Sequence, residues 1–173
     1  MKTLFLLRHA HAESRGLADF DRTLDDRGKG EAKALAVHLQ TQKLTFDFVM
    51  CSSALRVLET LEPLRSVIGT KEIEISNNFY NASDNDILHN IKRISDEWEK
   101  VLYIGHNPGI AFSMLRFSEI FPQSLKEGIH PATLVGFQLP IDKWQNLTWG
   151  EGKIIDMFQP TLAPATSPAP KES

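Results

Sequence analysis

What the chain lacks narrows the field first. Its 173 residues hold one cysteine, Cys51, so no internal disulfide forms and no cysteine cluster is present to bind zinc. No apolar run approaches the ~20 residues that span a bilayer, and the N-terminal one is too short for a secretory h-region with a cleavage site. An excess of one charge is missing too. Lys and Arg number 19 against 22 Asp and Glu, a net −3 with the signs interspersed, which offers no global field for nucleic acid or an anionic membrane. Anion binding must then rest on individually placed arginines. There is no internal repeat. These absences lead us to expect a soluble, cytoplasmic protein of a reducing compartment, with neither nucleic acid nor membrane as partner.

What is present begins with Thr3–Leu7, an almost unbroken apolar run of the kind buried on both faces of a parallel sheet, which passes directly into Arg8-His9. In open α/β sheets the binding crevice lies beyond the carboxyl ends of the strands, so this pair is expected at a site. A long polar loop, His11 to Arg27, follows; loops of that length are usually functional or mobile. Helical spacing of Ala32, Leu35, Ala36 and Leu39 predicts a surface helix over Gly28–Gln42. Phe46–Cys51 reads as a second buried strand, with Ser52 or Ser53 as N-cap of a helix that Pro63 should kink or split near Leu61.

Further on, Glu72–Ser76 alternates like a short strand, and Ser83-Asp84-Asn85-Asp86 opens a third helix with Ile87, Leu88, Ile91 and Ile94 inward. Val101–Gly105 is a third buried strand running into Gly105-His106-Asn107-Pro108-Gly109, where Asn107 suits a cap and Pro108 the first helical position. Thr133–Leu139 and Lys153–Phe158 have no helix-length crossover between them and should pair antiparallel at the sheet edge. The fold expected is α/β: a three-layer α/β/α sandwich whose central sheet is mostly parallel with antiparallel edge strands. One core is expected over residues 1–159, and a disordered Pro/Ala/Ser-rich tail over 160–173.

Three strand-to-helix junctions carry polar groups: Arg8-His9, Ser52-Ser53-Ala54-Leu55-Arg56 and Gly105–Gly109. In a parallel sheet all three share one edge. Two histidines and two arginines beside a helix N-terminus suit a dianionic phosphoryl group, with Arg22 on the loop as a further guanidinium.

Leu7-Arg8-His9-Ala10, Ser52-Ser53-Ala54-x-Arg56-x-x-Glu59-Thr60 and Gly105-His106-Asn107-Pro108-Gly109 resemble, in order, the three motifs of the histidine phosphatase (phosphoglycerate mutase-like) superfamily. The short length, Arg22-x-Leu24-x-x-x-Gly28-x-x-x-Ala32 and Phe79-Tyr80-x-Ala82-Ser83 are similar to its SixA-type phosphohistidine phosphatase branch. The resemblance implies a phosphatase with His9 as nucleophile, Arg8 and Arg56 as phosphate clamps and His106 as the second pocket histidine. Arg22, Asn107 and Ser52 are the substrate-binding candidates. No metal or other cofactor is implied. The expected partner is a phosphorylated substrate, in the sharpest form a phosphohistidine-bearing signalling protein.

Residue chemistry agrees with those roles, since guanidinium neighbours disfavour protonation of a nucleophilic imidazole and stabilise phosphoryl oxygens. The departure is in the general acid. Larger members of the superfamily carry Glu or Asp where this chain has Asn81, which has no acidic proton. An imidazole can leave phosphorus with little help, whereas an alkoxide needs a proton, so a P–N substrate is expected, with Glu13, Asp19 and Asp21 as possible proton donors. A small-molecule phosphomonoesterase of the same superfamily and a phosphate-binding module without turnover stand as the alternatives.

Blander readings hold elsewhere. His9-x-His11 lacks the companions of a metal site and has arginines beside it. Cys51 is one residue off the Cys-to-Arg spacing of cysteine phosphatases and reads as a small buried hydrophobe. His38 and His89 read as surface residues, His130 is uninformative, and Trp98, Trp144 and Trp149 read as packing residues.

Overall fold

Along the first strand, side chains alternate between two apolar cores, and the fold follows from that. In the computed structural model, which describes residues 1–15, 18–70 and 72–161, β1 (Lys2–Arg8) sends Leu4 and Leu6 to one core and Phe5 and Leu7 to the other, all fully buried. Burying each such side chain contributes roughly 1.5–3 kcal/mol. The remaining strands are β2 (Phe48–Ser52), β3 (Glu72–Ser76), β4 (Lys100–Gly105), β5 (Leu134–Leu139) and β6 (Lys153–Phe158). They form one sheet ordered β3-β2-β4-β1-β5-β6.

Strands β3, β2, β4 and β1 are mutually parallel, and β5 pairs antiparallel with both β1 and β6. Only β5 therefore runs against the rest, and the edge strand β6 points the same way as β1. Helices α1 (Asp26–Thr41) and α2 (Leu55–Leu61) cover the Phe5/Leu7 face through Leu35, Leu39, Val57 and Leu61. Helices α3 (Asp84–Lys92) and α4 (Gly109–Phe117) cover the Leu4/Leu6 face through Ile87, Ile91, Ile110 and Met114. A short α5 (Gln123–Lys126) precedes β5. This is the three-layer arrangement expected.

Local details differ at the helix starts. Helix α1 begins at Asp26 because Asp25 caps it, accepting from Gly28 N at 2.8 Å; the charged first turn carries no apolar signal. Neither Ser52 nor Ser53 is the N-cap of α2, which follows Ala54 with no side-chain cap. Asn107 does not cap α4 either: Pro108 holds the cap position, and the Asn107 amide donates to Ile129 O at 3.2 Å. The effect of Pro63 is as expected, since α2 stops at Leu61 and a 3-10 turn covers Glu62–Leu64. Ser83 and Asp86 form a reciprocal capping box on α3.

Two glycines allow close approaches that shape the site edge. A Cβ on Gly28 would lie 1.9 Å from His11 O, and one on Gly109 would lie 2.0 Å from Ala82 O; both are below any contact distance, so only glycine lets these segments meet. Among the described residues no helix is long and apolar enough to cross a membrane. Of the expected tail, residues 162–173 lie outside the described part of the chain.

Candidate active site

Strands β1 and β4 are neighbours, yet β1 leads to α1 on one face and β4 to α4 on the other. Ligands bind at such switch points because the diverging connections leave a crevice at the carboxyl ends of the strands. Arg8 closes β1 opposite Gly105 at the end of β4, so His9 and His106 leave adjacent strand tips. The His9 backbone is held on two sides, donating to Gly105 O and accepting from Ala132 N, both at 3.1 Å. A cavity of about 360 Å³ opens there, lined by Arg8, His9, Asp19, Arg22, Arg56, Asn81, His106 and Asn107.

Arg56, 3 % exposed on the first turn of α2, organises the interior. Its Nε donates to His9 Nε2 at 3.3 Å, its Nη2 to His106 Nδ1 at 3.2 Å and to Asp19 Oδ2 at 3.1 Å, and its Nη1 to the Asp19 carbonyl. His9 Nδ1 lies 2.7 Å from Ala10 O, which can only accept, so Nδ1 carries the proton and Nε2 is the unprotonated nitrogen that accepts from Arg56. His106 has the opposite tautomer: Nδ1 accepts from Arg56, and Nε2 donates to Ser52 Oγ at 2.8 Å. The two rings are 5.3 Å apart, edge to face.

Both imidazoles are neutral at pH 7. Burial first, then the charges of His106, Arg56 and Arg8, push His9 down to about 3, against the raising effect of Ala10 O. Burial, then Arg56, brings His106 to about 4. The second histidine is thus no cationic donor in the unliganded protein; a bound dianion would be needed to charge it. Arg8 lines the cavity; its Nη1 donates to Ile129 O at 2.6 Å, and its buried Nε has no hydrogen-bond acceptor among the described residues.

Of the three candidate proton donors, only Asp19 lines the cavity. Its carboxylate accepts from Tyr80 Oη, Arg22 Nη1 and Arg56 Nη2. Tyr80 and the two arginines outweigh desolvation and hold it down at about 2, so it is ionised and has no proton to give at pH 7. Glu13 and Asp21 are exposed outside the cavity lining; Glu13 enters only through its carbonyl, which accepts from Arg22 Nε. Asn81, in the left-handed region at φ +51°, lines the cavity where larger relatives are expected to have an acid.

Among the other residues singled out, Ser52 and His38 are placed differently from the sequence reading, while His11, His89, Cys51 and the tryptophans agree with it. Ser52 is fully buried behind His106 and orients that ring, outside the lining of the cavity. His11 turns away to Asp25 Oδ2 at 2.6 Å. His38 is mostly buried, with Nε2 3.0 Å from Asp156 Oδ2 on β6. His89 is exposed and His130 half-buried. Cys51 is fully buried, its thiol pushed up to about 12 by desolvation. Trp98 stacks on Phe48, Trp144 is wholly buried, and Trp149 packs against Phe117 beneath the Arg116 guanidinium. Among the described residues no group of three or more His, Cys, Asp or Glu is arranged to hold a metal ion.

Sequence reasoning missed three supports. Tyr80 fixes Asp19 and packs edge-on against His106 at 5.3 Å. Thr60 Oγ1 accepts from Ala10 N and donates to Arg56 O, coupling the segment after His9 to α2. Glu59 Oε2 accepts from Leu24 N at 2.6 Å, pinning the long loop. The Glu59-Thr60 pair within the second motif was the signal available for the last two.

Comparison with known proteins bears on the family and the fold. Residues 4–83 match the model of the histidine phosphatase superfamily (branch 1). The uncharacterized protein ML1117 of Mycobacterium leprae is 30% identical over 172 residues, spanning 89% of this chain and 99% of that protein. A SixA structure from Nakamurella multipartitia superposes with a TM-score of 0.78 at 24% identity, covering 93% of this chain and 97% of that one. The protein histidine phosphatase SixA complexed with tungstate gives 0.72 at 19% identity, covering 90% and 95%. With its three motifs gathered at one sheet edge and a fold shared with the SixA proteins, the chain belongs to the histidine phosphatase superfamily.

Proposed function

We propose that this protein is a phosphatase that acts through a covalent phosphohistidine on His9 and takes phosphohistidine displayed on a protein as its substrate. The observation that carries the reading is the fixed tautomer of His9: with Nδ1–H committed to Ala10 O, the neutral Nε2 faces the cavity among the guanidiniums of Arg8, Arg22 and Arg56. A nucleophilic imidazole must be uncharged, and the same guanidiniums suit the equatorial oxygens of a transferring phosphoryl group. An entering phosphate draws the Arg56 donors from His9 Nε2, freeing its lone pair for attack. The dianion would raise the His106 pKa and make its Nδ1 a further donor. The fold-related SixA complex holds tungstate, a tetrahedral oxyanion, which supports phosphate as the group recognised.

Asn81 at the cavity mouth and an ionised Asp19 leave no strong acid for an alkoxide leaving group, which favours P–N over P–O bonds. The chemistry asks for no metal. The test is to compare kcat/KM for a phosphohistidine-bearing protein with that for phosphoserine peptides and sugar phosphates at one pH, and to quench single turnovers in alkali. Phosphohistidine turned over fastest, with an acid-labile, alkali-stable phosphoenzyme lost in His9→Ala, is the expected result. A sugar phosphate turned over faster refutes the substrate class, and near-normal activity of His9→Ala refutes the covalent mechanism.

A further inference from the structure

We infer that Asp19 is a specificity-determining acceptor: its carboxylate takes a hydrogen bond from the ring nitrogen of a phosphoimidazole substrate that does not carry phosphorus. This deepens the phosphatase reading above and rests on it. The side chain of Asp19 is half exposed while His9 is 9 % exposed, so the carboxylate lies outward of the nucleophile. In-line displacement sends the leaving group to the side opposite His9 Nε2, toward that mouth.

The carboxylate is aimed, and its aim is more than a latch on Arg56. Asp19 already holds Arg56 through its backbone carbonyl, which accepts from Nη1. Its side chain spans three donors besides: Arg22 Nη1 on Oδ1 at 3.1 Å, Arg56 Nη2 on Oδ2 at 3.1 Å, and Tyr80 Oη on Oδ2. Fixed by three donors and ionised, it has one donor on Oδ1 among the described residues, which leaves that oxygen able to accept again and not to donate. An alkyl phosphate offers no N–H to such a group; an imidazole does.

The step balances without an added acid. The substrate ring carries the phosphoryl group on one nitrogen and a proton on the other. His9 Nε2 forms a bond to phosphorus as the substrate P–N bond breaks, and the bonding pair returns to the departing nitrogen. The ring leaves as neutral imidazole with its proton still on the far nitrogen, facing Asp19. His9 is then the phosphorylated imidazole, its Nδ1–H on Ala10 O. The two rings thus exchange roles, each with its non-reacting N–H on an oxygen.

The experiment measures kcat and KM for phosphoimidazole, p-nitrophenyl phosphate and β-glycerophosphate in wild type, Asp19→Asn, Asp19→Ala and Tyr80→Phe. We expect kcat/KM for phosphoimidazole to fall about 10-fold in Asp19→Asn, which keeps a carbonyl acceptor, and about 100-fold in Asp19→Ala, the size of effect typical of one hydrogen bond to a reacting group. KM for p-nitrophenyl phosphate should fall in both, because Arg22 and Arg56 lose a competing anion. Tyr80→Phe should weaken phosphoimidazole turnover in the same direction by less. Equal losses on all substrates overturn the inference in favour of mere support of Arg56, and a loss confined to β-glycerophosphate overturns it in favour of a proton donor. In either case wild-type turnover of phosphoimidazole leaves the phosphatase reading standing; wild type inert toward all three removes both.

Discussion

Burying two neutral histidines side by side makes folding stability depend on pH, and the size follows from the site. In the unfolded chain each histidine titrates at roughly 6.5. In the folded protein His9 is held at about 3 by burial and by its charged neighbours. Between those values the unfolded state binds a proton that the native state refuses, so stability is complete above about pH 6.5 and is lost as pH falls toward 3. At pH 5 that costs about 2 kcal/mol for His9, and His106, held at about 4, adds about 2 kcal/mol more. Against a typical domain stability of about 5–15 kcal/mol this is a large share. Replacing His9 with Asn keeps a polar side chain but removes its titration. Urea unfolding of wild type and His9→Asn at pH 7.5, 6 and 5 isolates the effect, since the carboxylates common to both cancel in the difference. From pH 7.5 to 5 the wild type should lose about 2 kcal/mol more than the variant. Parallel stability curves would refute the neutral, buried state of His9.

Three other outcomes are expected. Ser52→Ala frees His106 Nε2–H from its acceptor, so kcat should fall about 10-fold with KM little changed; a change in KM alone would show that Ser52 contacts substrate directly. Gly109→Ala places a methyl 2.0 Å from Ala82 O, and thermal or urea unfolding should show about 1–3 kcal/mol of lost stability; an unchanged midpoint would mean that α4 is free to shift. Turnover should be insensitive to EDTA, because the guanidiniums of Arg8, Arg22 and Arg56 that line the cavity would offset the negative charge of the phosphoryl oxygens; activity lost to EDTA and restored by Mg²⁺ or Zn²⁺ would refute this.

Two features of the site act together. Arg56 is shared among His9, His106 and Asp19, so one guanidinium adds to burial in keeping both rings uncharged and holds the loop residue at the cavity mouth. An entering anion competes for those same donors. On the proposed mechanism, anion binding and release of the His9 Nε2 lone pair would be one event.

The sequence by itself determined the main strands and helices and the two histidines and two arginines of the site, but not which carboxylate or serine lines it. Thr3–Leu7, Phe46–Cys51 and Val101–Gly105 are apolar runs of strand length, and polar residues directly after them must lie at strand tips; Arg8, His9 and His106 follow from that, Arg56 from the helix that opens beyond the second run, and all four line one cavity. Burial and period are local signals, carried by residues a few positions apart. Tertiary structure alone decided the protonation pattern and the supporting contacts. Ser52 reaches His106 across 54 positions and Tyr80 reaches Asp19 across 61, and neither partner announces the other in composition or spacing. Lys2, at the start of an apolar strand, is buried against Glu99 and the Asp96 carbonyl, and His38 meets Asp156 because β6 comes to lie beside α1. Whether a carboxylate is a proton donor or a fixed anion depends on which donors surround it. For Asp19 those donors come from its own loop, α2 and the segment before α3, and only folding brings them together.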